Sequence, residues 1–153
     1  MKQMEFKIEP ATLADVPQIE SLVEAAYQHY IERIGKKPGP MLDDYAEHVR
    51  KSRTFVARSQ CGKITGLLVL IEFDGYVLLD NVAVDPSAQG QGIGKHLMSH
   101  AEQVARELGF SEIQLYTHEK MVENQAIYKK FGYEEFERRT EKGFTRVYMK
   151  KIL

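Results

Sequence analysis

The sequence has a single cysteine, no tryptophan and no long apolar run. Because Cys61 has no second cysteine to pair with, an internal disulfide is excluded. No apolar stretch approaches the ~20 residues that a membrane-spanning helix needs. The charged opening segment MKQMEFKIEP also lacks the apolar centre of a signal peptide. We therefore expect a cytoplasmic protein in a reducing setting, without membrane contact.

An excess of charge of one sign is also absent. The 21 lysines and arginines balance 22 aspartates and glutamates, which leaves a formal net charge of −1. This balance argues against a general attraction to nucleic acid or to an anionic membrane. The 153 residues are 43% hydrophobic and 28% charged. These values are typical of a globular protein, and the length predicts one domain over residues 1–153.

The first third of the chain predicts a strand, a helix, a loop and a second helix. The strand is expected over residues 5–9, and the helix from Asp15, which would cap its first turn, to Gly35. In the segment GKKPGPM, the Pro-Gly-Pro run at residues 38–40 predicts an irregular loop. Residues 43–51 then predict a short helix.

The rest of the chain predicts a sheet with two further helices. Strands are expected over residues 53–59, 63–73, 76–84, 111–118, 133–140 and 144–152, and helices over residues 93–108 and 121–131. The strand–helix–strand run in the middle favours parallel neighbours. The predicted order is β-α-α-β-β-β-α-β-α-β-β. The fold class is α/β (α+β), with a central mixed, largely antiparallel twisted sheet of about seven strands and about four helices.

The segment DPSAQGQGIGKHLM, residues 85–98, has the composition of a loop that wraps phosphate. Glycine amides approach an anion closely, and a helix start adds unpaired donors. The loop of nucleoside triphosphatases does not fit, because Gln89 stands in place of its first glycine and His96 in place of its hydroxyl. The dinucleotide fingerprint fails too, since its third glycine falls on Lys95 or Leu97. What remains is Q-x-x-G-x-G, either another phosphate cradle or a plain strand-to-helix turn.

This motif and its setting resemble the GNAT superfamily of N-acetyltransferases. NVAVDPSAQGQGIGKHLM is similar to its acyl-coenzyme A signature, Q/R-x-x-G-x-G/A. NQAIYKKFGYEE is similar to its second signature, a helix that carries a tyrosine and ends in a glycine–aromatic turn. The resemblance covers nearly all of the chain and is nearest to a bacterial branch whose substrates are mostly unassigned. It implies the GNAT fold, acetyl-coenzyme A as co-substrate and the pyrophosphate of coenzyme A as the bound anion.

The same resemblance implies the cofactor contacts. The backbone of β-strand residues 82–84 would pair with the pantetheine arm as an added strand does, and the amides of residues 90–95 would hold the pyrophosphate. Many relatives have asparagine and alanine where this chain has Met121 and Asn124, and Asn124 is assigned to the pantetheine or the ribose–phosphate region. The implied cofactor-binding residues are Val82, Ala83, Val84, Gln89, Gly90, Gln91, Gly92, Ile93, Gly94, Lys95 and Asn124.

Acyl transfer to an amine needs a base, a polarised carbonyl and a proton for the departing thiolate. By resemblance Tyr128 gives that proton, and the alternative is that it only packs beside the thioester. The backbone amide of Val82 is expected to polarise the carbonyl, where its strand separates from the parallel neighbour.

Asp80 is the candidate base. Strand alternation would place it on the face of Val82, with Asn81 on the other face. His118, Glu119 and a bound water acting for a carboxylate are the alternatives.

The acceptor is expected to be a small-molecule or protein amine. Its predicted contacts are Tyr27, Tyr30, Ile34 and Tyr116, with residues 38–40 as one wall of the pocket. No metal is expected, because the five histidines lack a convincing ligand spacing. Members of the superfamily are often dimers, so the resemblance implies a homodimer. The alternative function is a non-catalytic acyl-coenzyme A-binding module, which would need the phosphate loop but not the phenol.

Overall fold

In a computed structural model that describes residues 6–153, all strands join one sheet in the order β1-β2-β3-β4-β5-β7-β6. Its members are β1 (Phe6–Pro10), β2 (Arg53–Ser59), β3 (Ile64–Phe73), β4 (Tyr76–Val84), β5 (Glu112–His118), β6 (Glu134–Glu141) and β7 (Phe144–Ile152). Neighbouring strands are antiparallel except β4 and β5, which are parallel. The predicted mixed, largely antiparallel sheet of seven strands is confirmed. Glu5, the first residue of the predicted first strand, lies outside the described residues.

The helices are α1 (Val16–Tyr27), α2 (Tyr30–Ile34), α3 (Tyr45–Lys51), α4 (Ile93–Glu107) and α5 (Val122–Lys130). The single helix predicted from Asp15 to Gly35 is therefore wrong, because α1 ends at Tyr27 and α2 begins at Tyr30. The segment expected to be irregular also contains a 3-10 turn, Gly39–Leu42. None of the helices in the described part of the chain is long and apolar enough to cross a membrane.

Asp15 occupies the N-cap position of α1, as predicted, but its side chain makes no capping hydrogen bond. Its carboxylate accepts a 2.9 Å hydrogen bond from the amide of Thr12 and pairs with Arg58 at 3.0 Å. Burial removes Asp15 from water, so its charge needs these partners. The pair with Arg58 ties the start of α1 to β2.

Helices cover both faces of the sheet and create two apolar cores. On one face α4 packs against β3 and β4 through Leu68, Leu70, Val77, Leu79, Leu97 and Ala101. On the other face α1 and α3 pack through Ile19, Leu22, Val23, Val56, Leu67 and Val69. Consecutive β3 residues therefore alternate between the two cores, as a strand buried on both sides requires.

A β-bulge interrupts β4 at Asp80. Val69 of β3 is opposite Asn81, but the next residue, Leu70, is opposite Leu79, so Asp80 is an extra residue. Leu79 and Val82 consequently pack on the α4 side. Asp80 and Asn81 both contact α3 on the other side. The prediction that Asp80 shares the face of Val82 is wrong, because the bulge shifts the alternation by one residue.

The same region separates β4 from β5. Their parallel pairing covers residues 77–79 and 113–115 and stops before Asp80. The predicted separation at Val82 is confirmed, and it leaves a gap in the middle of the sheet.

Gly66 of β3 lets α4 lie directly on the sheet. A Cβ atom there would be 2.9 Å from both Ile93 Cγ2 and Leu97 Cδ1. We expect Gly66→Ala to lower the free energy of unfolding by about 1–3 kcal/mol, as overpacking in a core does, measured by denaturant titration. Gly39→Ala is the matched control, since its Cβ would meet only Arg146 Nη2 at 3.7 Å. Equal stability of Gly66→Ala and the wild type would contradict this packing.

Candidate active site

Two cavities meet where β4 and β5 separate. The larger, of about 630 Å³, lies between the start of α4, β4, α1 and α5. The smaller, of about 300 Å³, lies between β4, β5, the 3-10 turn and the β6–β7 hairpin. Tyr27, Val82, Asn124 and Tyr128 line both cavities. Two molecules, one in each cavity, would therefore meet beside these four residues.

The larger cavity is lined by every residue implied as a cofactor contact except Gln91. Its floor is the turn from β4 into α4. Gly90 and Gly92 have φ angles of +86° and +81°, a region that glycine adopts at no steric cost. A Cβ at Gly90 would have nothing within 4 Å, so the loop surface there is open.

The turn presents a row of unused backbone donors. Within residues 6–153, none of the amides of residues 90–95 donates a hydrogen bond. The first turn of a helix leaves such donors unpaired, and the helix dipole adds positive potential at the same place. Lys95 lines the cavity as well. This end of the larger cavity is built to bind an anion.

Tyr128 of α5 stands at the junction of the two cavities. Only 8% of its surface is exposed, and its hydroxyl makes no hydrogen bond within the described residues. Burial, with a smaller contribution from neighbouring Tyr30, raises the pKa of Tyr128 above its ordinary value. The phenol is therefore a protonated donor at neutral pH, placed where a reacting group would sit.

A cluster of ionisable groups lies beside the bulge. Asp43 Oδ2 is 3.3 Å and Asp80 Oδ2 is 3.6 Å from His48 Nε2, and Tyr116 donates a 3.4 Å hydrogen bond to Asp80 Oδ1. Burial, aided by repulsion from Asp43, raises the pKa of Asp80, while His48 opposes the shift. The hydrogen bond to Asp43 raises the pKa of His48 against the effect of its burial. The cluster can pass a proton between the cavity and the imidazole.

Sequence reasoning missed His48 and Asp43. They flank the start of α3 and match no motif, so only the packing of α3 on the bulge shows that they reach Asp80. Donor atoms of Asp43, His48 and Asp80 lie within 4.8 Å of one another. The reasoning from histidine spacing therefore overlooked a grouping that forms through tertiary contact.

The four residues predicted to contact the acceptor do not all line the same cavity. Tyr27 lines both cavities and Tyr116 lines the smaller one, together with residues 38–40. Tyr30 lines only the larger cavity, and its hydroxyl donates to Glu123 Oε2 at 2.8 Å. Ile34 lines neither cavity and packs at the edge of the α1 core. Tyr27, Tyr30 and Ile34 all pack in the α1 core, but of the three only Tyr27 reaches the smaller cavity.

The alternative base His118 lines the smaller cavity. Its Nδ1 accepts a 3.1 Å hydrogen bond from the amide of Lys120. The acceptor nitrogen of the neutral ring is therefore occupied, so the ring offers an N–H instead of a lone pair. Glu119 is not among the residues that line the cavity. Asp80 and Asp43 are the carboxylates among the residues that line this cavity.

A buried network fixes the wall of both cavities. Asn81 Oδ1 accepts a 2.7 Å hydrogen bond from the Tyr27 hydroxyl, and Asn81 Nδ2 donates to the Tyr45 hydroxyl at 2.9 Å. The Tyr45 hydroxyl in turn donates to the carbonyl of Pro40. The network joins α1, β4, α3 and the 3-10 turn into one unit.

Comparison with known proteins agrees with this geometry. The model of the acetyltransferase (GNAT) family matches residues 17–133. The chain belongs to this family. It is an acyltransferase by that membership, and the predicted resemblance is confirmed. No curated protein matches the acetyltransferase.

Solved structures share its fold over nearly the whole chain. The PaiA N-acetyltransferase of Thermoplasma acidophilum, solved with coenzyme A, is 16% identical with a TM-score of 0.80, covering 98% of this chain and 100% of its own. The IAA acetyltransferase of Bacillus cereus is 26% identical, with a TM-score of 0.71 and coverage of 97% and 100%. A GNAT family acetyltransferase of Elizabethkingia anophelis with bound acetyl-CoA is 20% identical, with a TM-score of 0.70 and coverage of 97% and 98%.

The contacts of His48 with Asp43 and Asp80 should shift its pKa in a measurable way. In NMR titrations of the acetyltransferase, we expect the pKa of His48 above its ordinary value and that of His100, which is lowered by burial, below it. Asp43→Asn should lower the pKa of His48 and leave His100 unchanged, because His100 packs on the opposite side of the sheet against Phe55. The exposed Asp74→Asn is the matched control.

The stability has a matching pH dependence. A raised pKa means that the His48 contribution is complete below the unfolded pKa of about 6.5 and is lost as pH rises through the folded value. Asp43→Asn should therefore lower the melting temperature more at pH 5.5 than at pH 8. An equal loss at both pH values would contradict the pairing.

Proposed function

We propose that this acetyltransferase moves the acetyl group of acetyl-coenzyme A directly to a primary amine, without a covalent enzyme intermediate. The observation that carries the proposal is the pair of cavities that share one wall at Val82 and Tyr128. The coenzyme A and acetyl-CoA bound in the relatives of known structure support the choice of donor.

The larger cavity is the proposed cofactor site. Its unused amides at residues 90–95 and the start of α4 suit the pyrophosphate of coenzyme A. The pantetheine arm would run along residues 82–84, where the edge of β4 has lost its pairing with β5. Binding along that edge would bring the thioester to the junction with the smaller cavity.

In the proposed reaction the amine nitrogen forms a bond to the acetyl carbon and the carbon–sulfur bond breaks. The backbone amide of Val82 polarises the carbonyl oxygen as its charge develops. Tyr128 donates its proton to the departing thiolate and regains one from solvent, and Asp80 takes a proton from the amine and releases it to solvent. The products are the N-acetyl compound and coenzyme A with a free thiol.

Asp80 suits the role of base because of its surroundings. Its side chain is 9% exposed, and its raised pKa makes it a better proton acceptor than an exposed carboxylate. His48 stabilises the ionised form of Asp80. Asp43, the exposed partner of His48, would pass the proton to solvent. The base and its outlet thus belong to one cluster.

The alternative is a module that binds acyl-coenzyme A without turnover. Such a module has no use for a phenol placed where the two ligands would meet. The Tyr128 side chain lines both cavities, and its hydroxyl makes no hydrogen bond within the described residues. Its presence favours the enzyme. A cytoplasmic setting and a homodimer stay predictions.

A negative charge introduced at Gly90 of the phosphate loop tests coenzyme binding. Isothermal titration should show saturable binding of acetyl-coenzyme A, with no comparable binding of ATP or NAD. Gly90→Asp should weaken that binding at least about 10-fold relative to Gly90→Asn, because both side chains tolerate positive φ and only the aspartate repels the pyrophosphate. Absence of binding at millimolar acetyl-coenzyme A would reject the proposed cofactor site.

Turnover is tested at the phenol. Tyr128→Phe should lower kcat about 100-fold, the usual contribution of a general acid, and leave the Kd of acetyl-coenzyme A within about twofold. Release of free thiol with an amine acceptor measures kcat. Tyr76→Phe is the control, because Tyr76 stacks on Phe73 in the β3–β4 hairpin and lines neither cavity. Wild-type turnover by Tyr128→Phe would exclude the acid role.

A further inference from the structure

The smaller cavity carries charges of opposite sign at its two ends. Asp80 and Asp43 lie at the end near the bulge, and Arg146 and Lys142 lie at the end formed by the β6–β7 hairpin. An amine acceptor accounts for the acidic end. The basic end needs a separate explanation, because a cation repels an ammonium group.

In the described part of the chain, only one of the two terminal nitrogens of the Arg146 guanidinium has a hydrogen-bond partner. Its side chain is 16% exposed, and Nη1 lies 3.2 Å from Glu141 Oε2. Its Nη2 makes no hydrogen bond within residues 6–153 and faces Gly39, where a Cβ would lie 3.7 Å away. Gly39 and Arg146 both line the smaller cavity, so the fork borders it. Guanidinium forks match carboxylates by paired hydrogen bonds.

Glu141 does not fill the cavity in place of a ligand. Its Oε1 accepts a 2.6 Å hydrogen bond from the Tyr148 hydroxyl, and Glu141 is not among the residues that line the cavity. It holds one side of the Arg146 fork from behind. The other side remains available.

Tyr116 sets the distance between the two ends. Its hydroxyl donates to Asp80 Oδ1, and the Arg146 Cζ lies 4.5 Å from the centroid of its ring. The guanidinium thus lies over the Tyr116 ring, and the carboxylate lies beyond its hydroxyl. A small molecule with an amine and a carboxylate a few bonds apart spans that separation with one hydrogen bond at each end.

We propose that the acceptor is a free amino acid, with its amine at Asp80 and Tyr128 and its carboxylate on the Arg146 fork. This inference rests on the proposed acetyl transfer at the same site. The cavity of about 300 Å³ is of a size for such a molecule. A simple amine, by contrast, makes no contact with the guanidinium and gains no charged hydrogen bond there.

The experiment compares each standard amino acid, β-alanine and γ-aminobutyrate with its own carboxamide. With acetyl-coenzyme A saturating, at least one acid should exceed its amide in kcat/KM by at least about 10-fold. Arg146→Gln should lower kcat/KM for that acid about 10- to 100-fold, mainly through KM, as loss of a charged hydrogen bond does. The kcat/KM for the carboxamide should change by less than about twofold in Arg146→Gln. Arg146→Lys should keep more of the acid–amide ratio than Arg146→Gln.

Arg138→Gln is the matched control, because Arg138 pairs with Glu135 on exposed β6 and lines neither cavity. Arg138→Gln should leave kcat/KM unchanged for both the acid and the amide. Equal use of acid and amide, or an equal loss for both in Arg146→Gln, would overturn the proposal.

A binding measurement without turnover tests the amino acid site separately from acetyl transfer. The same acids and amides are titrated into protein saturated with coenzyme A. If no amine is acetylated but acids bind at least about 10-fold more tightly than their amides, and Arg146→Gln removes the difference, acetyl transfer fails and the amino acid site stands. If none of the acids binds or reacts, the amino acid site is wrong, whether or not other amines are acetylated.

Discussion

One extra residue in β4 determines the arrangement of the site. The bulge at Asp80 turns two consecutive polar side chains, Asp80 and Asn81, towards α3. Past the same point β4 no longer pairs with β5. The two cavities meet at the gap that results, and Asp80 lines the smaller of them. In a regular strand Asp80 and Asn81 would point to opposite faces of the sheet, so only one of them could contact α3.

The bulge survives because its polar groups are satisfied from the helices above it. Asn81 is 3% exposed, yet both its oxygen and its nitrogen have partners, on Tyr27 and Tyr45. A buried amide group without such partners costs about 1–3 kcal/mol. The hydrogen bonds also fix α1 and α3 over the bulge. His48, one turn beyond Tyr45, is held against Asp80 for that reason, so the same contacts support the fold and the proton route.

The sequence predicted features that are local along the chain. The strands, the turn of residues 85–98 and Tyr128 depend on nearby residues, and periodicity or a short motif shows them. The bulge depends on the register between β3 and β4, which alternating hydrophobicity does not reveal, so Asp80 was placed on the wrong face. His48 and Arg146 became candidates only through packing of α3 and pairing of β7. The break between α1 and α2 follows no proline or glycine, and we have no sequence signal for it.

The two halves of the site use different chemistry. The proposed cofactor side relies on backbone amides at residues 90–95 and on the edge of β4, which most substitutions leave in place. The acceptor side relies on side chains from β4, β5, β7 and two connecting segments, Asp43, Asp80, Tyr116 and Arg146 among them. Substitutions there would change the preferred amine without weakening coenzyme binding. Only the residues of the shared wall, above all Val82 and Tyr128, are constrained by both ligands at once. In the proposed reaction, coenzyme binding would therefore depend mainly on the backbone of this chain, and the choice of acceptor on its side chains.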